Sequence, residues 1–161
     1  MAIIRRLDFG EELLYRSIRL ESLRESPQAF SSQYVDAVAR SDESWTDQAN
    51  ASAAGSDRVT LIAFEEQAVG LAALYRDEEE PDVGELIQMW VAPEVRGGQI
   101  ATNLLDEIFR WAGSHRFLRV KAEVMNNNAR ALKFYESYGF TASADASQHS
   151  TTSVVLTKPV A

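Results

Sequence analysis

The sequence predicts an α/β fold of the α+β kind: one domain with a mixed central β-sheet of six to seven strands and about four flanking helices. Three observations carry that expectation. Three strand-like runs, VTLIAFE, AVGLAALYR and ELIQMWV, follow one another with only short breaks, as an antiparallel meander requires. The last of them leads through a glycine-containing loop into a helix and then into another strand, FLRVKAEVM, which is the order of a parallel crossover. The 161 residues hold no repeat or linker, so the whole chain, 1–161, reads as a single domain.

The elements follow in order. AIIRRL (2–7) is a short strand. EELLYRSIRLESLRE is a helix whose apolar stripe is drawn by Leu13, Leu14, Ile18 and Leu23, and Pro27 stops it. PQAFSSQYVDA is irregular. Ser41 caps a second helix, SDESWTDQANASA, with Glu43 in its first turn. The meander comes next, closed by Pro93. IATNLLDEIFRWAGSH is a helix with Ile100, Leu104, Ile108 and Trp111 along one face. NNNARALKFYESYGF is a fourth helix, opened by asparagine and closed by Gly139. FTASA and STTSVVLTK are the terminal strands.

Composition removes several functions. The net charge is −8, the wrong sign for a duplex nucleic-acid binder. No cysteine is present, so no acyl group can pass through a cysteinyl intermediate and no zinc-thiolate site can form. His115 and His149 show no ligand spacing, which leaves no metal site to expect. No apolar run approaches a membrane span, and MAIIRRLDFGEELL lacks the apolar core of a signal peptide. The expected setting is soluble and cytoplasmic, and a homodimer is the common oligomer for such a chain.

The stretch EVRGGQIATNLL places Arg96, Gly97 and Gly98 just before a helix. A helix N-terminus presents unpaired N–H groups and the positive end of the helix dipole, and glycine lets an anion approach closely. A nucleotide P-loop needs a lysine followed by Ser or Thr, and none is here. A dinucleotide fingerprint needs G-x-G-x-x-G, and that spacing is absent. The pyrophosphate of coenzyme A stays open, beside a plain turn that only redirects the chain.

At this point the sequence resembles the GNAT acetyltransferase family. Its loop pattern is Arg or Gln, two residues, Gly, one residue, then Gly or Ala; Arg96 and Ala101 match, and Gln99 stands where Gly is usual. Asn128, Ala131, Tyr135, Gly139 and Phe140 fit the family's N-x-x-A-x-x-x-Y-x-x-x-G-F pattern. RLESLRESPQAF is similar to the first helix of many bacterial members. The resemblance implies a GNAT fold with acetyl-CoA as cosubstrate. It also implies that the backbone N–H groups of Arg96, Gly97, Gly98, Gln99, Ile100 and Ala101 hold the pyrophosphate. Gly98 would take the special backbone conformation one residue early, in place of position 99. A bulge in ELIQMWV would leave Met89 and Val91 free to pair with the pantetheine arm, the Val91 N–H facing the thioester carbonyl.

The same resemblance makes Tyr135 the general acid for the departing thiolate; a core aromatic is the plainer account of that residue. Asn128 caps its helix and, by resemblance, also contacts the cofactor. Glu85 and Glu123 are the carboxylates that could take a proton from an attacking amine, and each also reads as a solvated strand-end charge. The run DEEEPD (77–82) could draw a cationic amine, or simply be a solvated loop. Trp45 and Trp90 are candidates for an acceptor pocket or for core packing. The expected function is direct transfer of an acetyl group to a primary amine of a small molecule or peptide, in a ternary complex. The alternative is a CoA-binding sensor without turnover.

Overall fold

A computed structural model gives the fold of residues 2–145 and 149–161. The chain runs β1 (Ile3–Arg6), α1 (Glu12–Glu25), a 3-10 turn (Pro27–Ala29), α2 (Tyr34–Val38) and α3 (Asp42–Ala53). It continues through β2 (Arg58–Glu65), β3 (Gln67–Arg76), β4 (Val83–Val91), α4 (Ile100–Ser114), β5 (Arg119–Met125), α5 (Ala129–Tyr138), β6 (Thr141–Ala142) and β7 (Ser153–Pro159). The strands form one seven-stranded sheet in the order β1-β2-β3-β4-β5-β7-β6. The meander is antiparallel as expected, and β4–β5 is the parallel pair. No helix among the described residues is long and apolar enough to cross a membrane.

Buried runs without alternation, Val59–Ala63 and Val69–Leu74, mark β2 and β3 as covered on both faces, because successive strand side chains point to opposite sides. One cover is α4, which buries Ile100, Leu104, Leu105, Ile108 and Ala112. Truncating one of these leucines to Ala would cost about 2–5 kcal/mol. Gly70 lets α4 come close: a Cβ there would lie 3.1 Å from Leu104 Cδ1 and 3.3 Å from Ile100 Cγ2.

Two expectations fail near the N-terminus. The irregular stretch after Pro27 holds a 3-10 turn and a fifth helix, α2, of five residues, too short for a periodic signal. The stripe assigned to α1 is also rotated. Leu13 is 74% exposed, and the buried positions are Tyr15, Ile18, Arg19, Ser22 and Leu23. These share one helical face. Counting apolar residues misses it because two of the five are polar.

Candidate active site

The site begins where two strands part. The parallel β4–β5 ladder pairs Val83–Leu86 with Arg119–Ala122 and goes no further. Beyond Leu86 the β5-facing edge of β4 has no strand partner among the described residues. A bulge lies just there. Leu71 pairs with Trp90 and Ala73 with Ile87, so Gln88 and Met89 stand opposite Ala72 alone. Gln88 takes φ +60, a conformation that costs an ordinary residue of order 1–2 kcal/mol. Its side chain is held from the other side, since Tyr15 Oη donates to Gln88 Oε1 at 2.8 Å.

Val91 sits opposite Gly70 in a pair that exchanges no hydrogen bonds, because the Ala92 N–H donates to the Val69 carbonyl at 2.8 Å. The Val91 N–H and C=O therefore turn away from β3, towards the opened edge. Arg96 Nε donates to that carbonyl at 2.8 Å.

The glycine loop has the makings of an anion cradle. Among the described residues, no acceptor is found for the N–H groups of Gly97, Gly98, Gln99, Ile100 and Ala101. Gln99 precedes α4 and makes no side-chain cap bond, so the helix start stays open. The positive φ, +89, belongs to Gly97 and not to Gly98, and a Cβ there would meet nothing within 4 Å. Gln99 has φ −99, which any residue adopts. The departure from glycine at position 99 therefore leaves the backbone path intact. Arg96 is engaged elsewhere: its N–H donates to the Pro93 carbonyl, and its guanidinium bonds Glu25 at 2.6 Å. Glu25 also accepts from Trp90 Nε1 at 2.9 Å, which ties the end of α1 to the loop. Trp90 is thus buried and committed.

A cavity of about 430 Å³ lies between this loop and α5; Phe134, Arg130 and Tyr135 form its far wall. A second cavity of about 260 Å³ lies between the parted strands and is lined by Glu85, Glu123 and Tyr135. Met89, Asn128, Ala131 and Tyr135 belong to both, so the two spaces adjoin along α5. Asn128 caps α5, its Oδ1 accepting from the Ala131 N–H at 3.2 Å. Gly139, at φ +119, ends the same helix. Tyr135 is buried against Phe134 and Phe140, and burial pushes its phenol above the ordinary value.

The two carboxylates stand on neighbouring strands. Glu85 is opposite Lys121 in the parallel register, and Glu123 lies two residues further along β5. Glu123 Oε2 accepts from Ser153 Oγ at 2.6 Å, whereas Glu85 makes no side-chain hydrogen bond among the described residues. The acidic run behind them is partly neutralised. Asp77 accepts from Lys121 Nζ at 2.5 Å and from the N–H groups of Glu79 and Glu80, which together pull its carboxyl down to about 2.

Arg130 and Arg19 line these spaces without having been singled out from the sequence, and Phe134, which the sequence marks as a packing residue of α5, lines the loop-side one. Arg130 was legible in principle, two residues past Asn128 and in the first turn of α5. Arg19 was legible only from α1's true buried face. Trp45, buried in the core, also lines a third cavity beside Arg19.

The fold is shared with solved acetyltransferases. An acetyltransferase of the GNAT family from Streptococcus pneumoniae superposes with a TM-score of 0.83 at 17% identity, covering 100% of each chain. The PaiA N-acetyltransferase of Thermoplasma acidophilum, solved in complex with coenzyme A, gives 0.79 at 20% identity over 99% of each chain. The ribosomal-protein-S18-alanine N-acetyltransferase of Escherichia coli gives 0.68 at 15% identity, covering 100% of this chain and 95% of that one. No curated protein sequence matches. The sequence model of the Acetyltransferase (GNAT) family matches residues 18–140, a span holding both motifs, the parted strands and Tyr135. The chain belongs to the GNAT acetyltransferase family, whose members carry out acyl transfer with acetyl-CoA.

Proposed function

We propose that this protein is an N-acetyltransferase that moves the acetyl group of acetyl-CoA directly onto a primary amine, with both substrates bound together. The observation that carries this is the position of Tyr135, on the wall common to the loop-side cavity and the carboxylate-lined one. Two adjoining spaces suit a cofactor and an acceptor held at once. The absence of cysteine agrees with transfer in one step.

Acetyl-CoA supplies the acetyl group as an activated thioester. The N–H groups of Gly97 to Ala101 receive the pyrophosphate at the start of α4, where the helix dipole favours negative charge. Arg130, exposed and unpaired among the described residues, adds the cation that Arg96 has given to Glu25. Met89 and Val91, on the opened edge of β4, offer backbone groups to the pantetheine amides. The Val91 N–H stabilises charge growing on the thioester oxygen. Asn128 lines both spaces and adds a polar contact while holding α5.

Tyr135 is protonated at neutral pH, as any phenol of ordinary or raised pKa is, and it delivers that proton to the sulfur as the C–S bond breaks. The acceptor must lose a proton to attack. Glu85 takes it directly or through water; Glu123, already accepting from Ser153, is the second candidate. The deciding test is Tyr135→Phe, followed by thiol release with a panel of amines. Turnover should fall while acetyl-CoA binding stays nearly constant, and unaltered turnover removes the acid role. CoA binding without thiol release from any amine would instead favour a sensor.

A further inference from the structure

Arg19 is a buried cation with no counter-charge among the described residues. It lies in the middle of α1, retains 7% of its surface, and belongs to RLESLRESPQAF, a motif to which the chemistry above assigns no task. Arginine is charged at all relevant pH, and a buried charge without a partner costs several kcal/mol. Yet among the described residues its guanidinium donates one hydrogen bond, from Nη1 to Ser22 Oγ at a long 3.4 Å, and no carboxylate pairs with it. One face of the group is covered by the Phe30 ring, 4.7 Å away. That leaves the edge donors, a planar fork that matches a carboxylate in two parallel hydrogen bonds.

Arg19 stands in the right place. Arg19 lines the cavity of about 260 Å³ that also holds Glu85, Glu123 and Tyr135. It equally lines the adjoining cavity of about 300 Å³ towards α2. Asp36 is the single carboxylate on that second wall; it is exposed and forms no ion pair among the described residues. Arg40, the other cation there, is already occupied: it bonds Ser44 through Nε and Nη2 and stacks over Trp45 at 4.0 Å. One free fork fits a single negative charge better than a dianion. The cavity volume suits a molecule of amino-acid size rather than a folded protein surface.

We infer that the acceptor is a small primary amine that also carries a carboxylate, with Arg19 holding the carboxylate while the amine lies between the strand carboxylates and Tyr135. This rests on the acyltransferase reading of the same cavity and narrows its substrate class. Arg19 is a specificity-determining residue: it acts on the acceptor and not on acetyl-CoA, whose loop-side cavity it does not line.

The test is calorimetric titration of the CoA-saturated protein with the proteinogenic L-amino acids and, separately, with their C-terminal amides. At least one acid should bind about 10- to 100-fold tighter than its own amide, the range for a charge-assisted hydrogen-bonded pair. Arg19→Met should bring acid and amide to within about twofold, on the same scale, with CoA affinity unchanged. Arg19→Lys keeps the charge without the fork and should retain part of the preference; it also serves if the Met variant fails to fold. Equal binding of acids and amides, no binding by any acid, or a preference that survives Arg19→Met overturns the inference. A bound acid that releases no thiol from acetyl-CoA overturns the acetyltransferase reading instead and leaves Arg19's role standing.

Discussion

The loop side and the acceptor side of the site are built from different materials. In the proposed site the loop side works through backbone N–H groups from consecutive residues, Gly97 to Ala101, presented by the start of one helix. The proposed acceptor side uses side chains that line one cavity and come from α1, β4, β5 and α5: Arg19, Gln88, Glu85, Glu123 and Tyr135. Local backbone geometry tolerates side-chain replacement, because every residue but proline carries the same N–H. A site gathered from distant side chains tolerates little, since each member has no substitute. The loop side should therefore be robust and the acceptor side fragile.

That contrast sets the order of the expected effects. The largest is Tyr135→Phe: turnover should fall about 100-fold or more, the usual scale for losing a general acid, while the acetyl-CoA Kd moves less than about twofold. Single-turnover thiol release beside calorimetry measures both. On the loop side the strongest change is Gly97→Val. Its φ of +89 strains a branched side chain by roughly 1–2 kcal/mol, so CoA affinity should weaken by about tenfold. A smaller loss is expected from Glu25→Gln, which removes the charge that holds Arg96 and Trp90 together. The pair is partly exposed, and a loss of about threefold in CoA affinity is the scale for such a contact. Trp90 fluorescence should report the released indole. The smallest effect belongs to Gln99→Gly: CoA affinity should stay within about twofold, because Gln99 already has an ordinary φ. A large gain there would show that the side chain, and not the backbone, limits the loop.

Much of the fold was legible. The meander, the crossover, the Ser41 and Asn128 caps and the Gly139 stop are all local patterns, and each occurs where the residues placed it. The errors share a cause. Leu13 was assigned to the core and is exposed, while Arg19 and Ser22 were passed over and are buried. Hydrophobic periodicity finds the face that packs against other apolar groups. It misses a buried face that carries polar residues, here Arg19 and Ser22. Gly98 was expected to carry the unusual φ that Gly97 carries; adjacent glycines are equivalent until the chain direction on both sides is fixed.

The sequence by itself determined the family, the order of elements apart from α2 and the turn before it, and the two motifs, because spacing along one helix or loop fixes local geometry without reference to the rest. The tertiary structure alone decided three further things. Arg96 Nη2 bonds Glu25 of α1, seventy-one residues away in the chain. The β4 bulge at Gln88 is steadied by Tyr15 of α1. Arg19 is buried beside a cavity with no counter-charge among the described residues. Each depends on residues far apart in the chain meeting in space. The partner of a buried charge, or its lack of one, is a property of the assembled molecule.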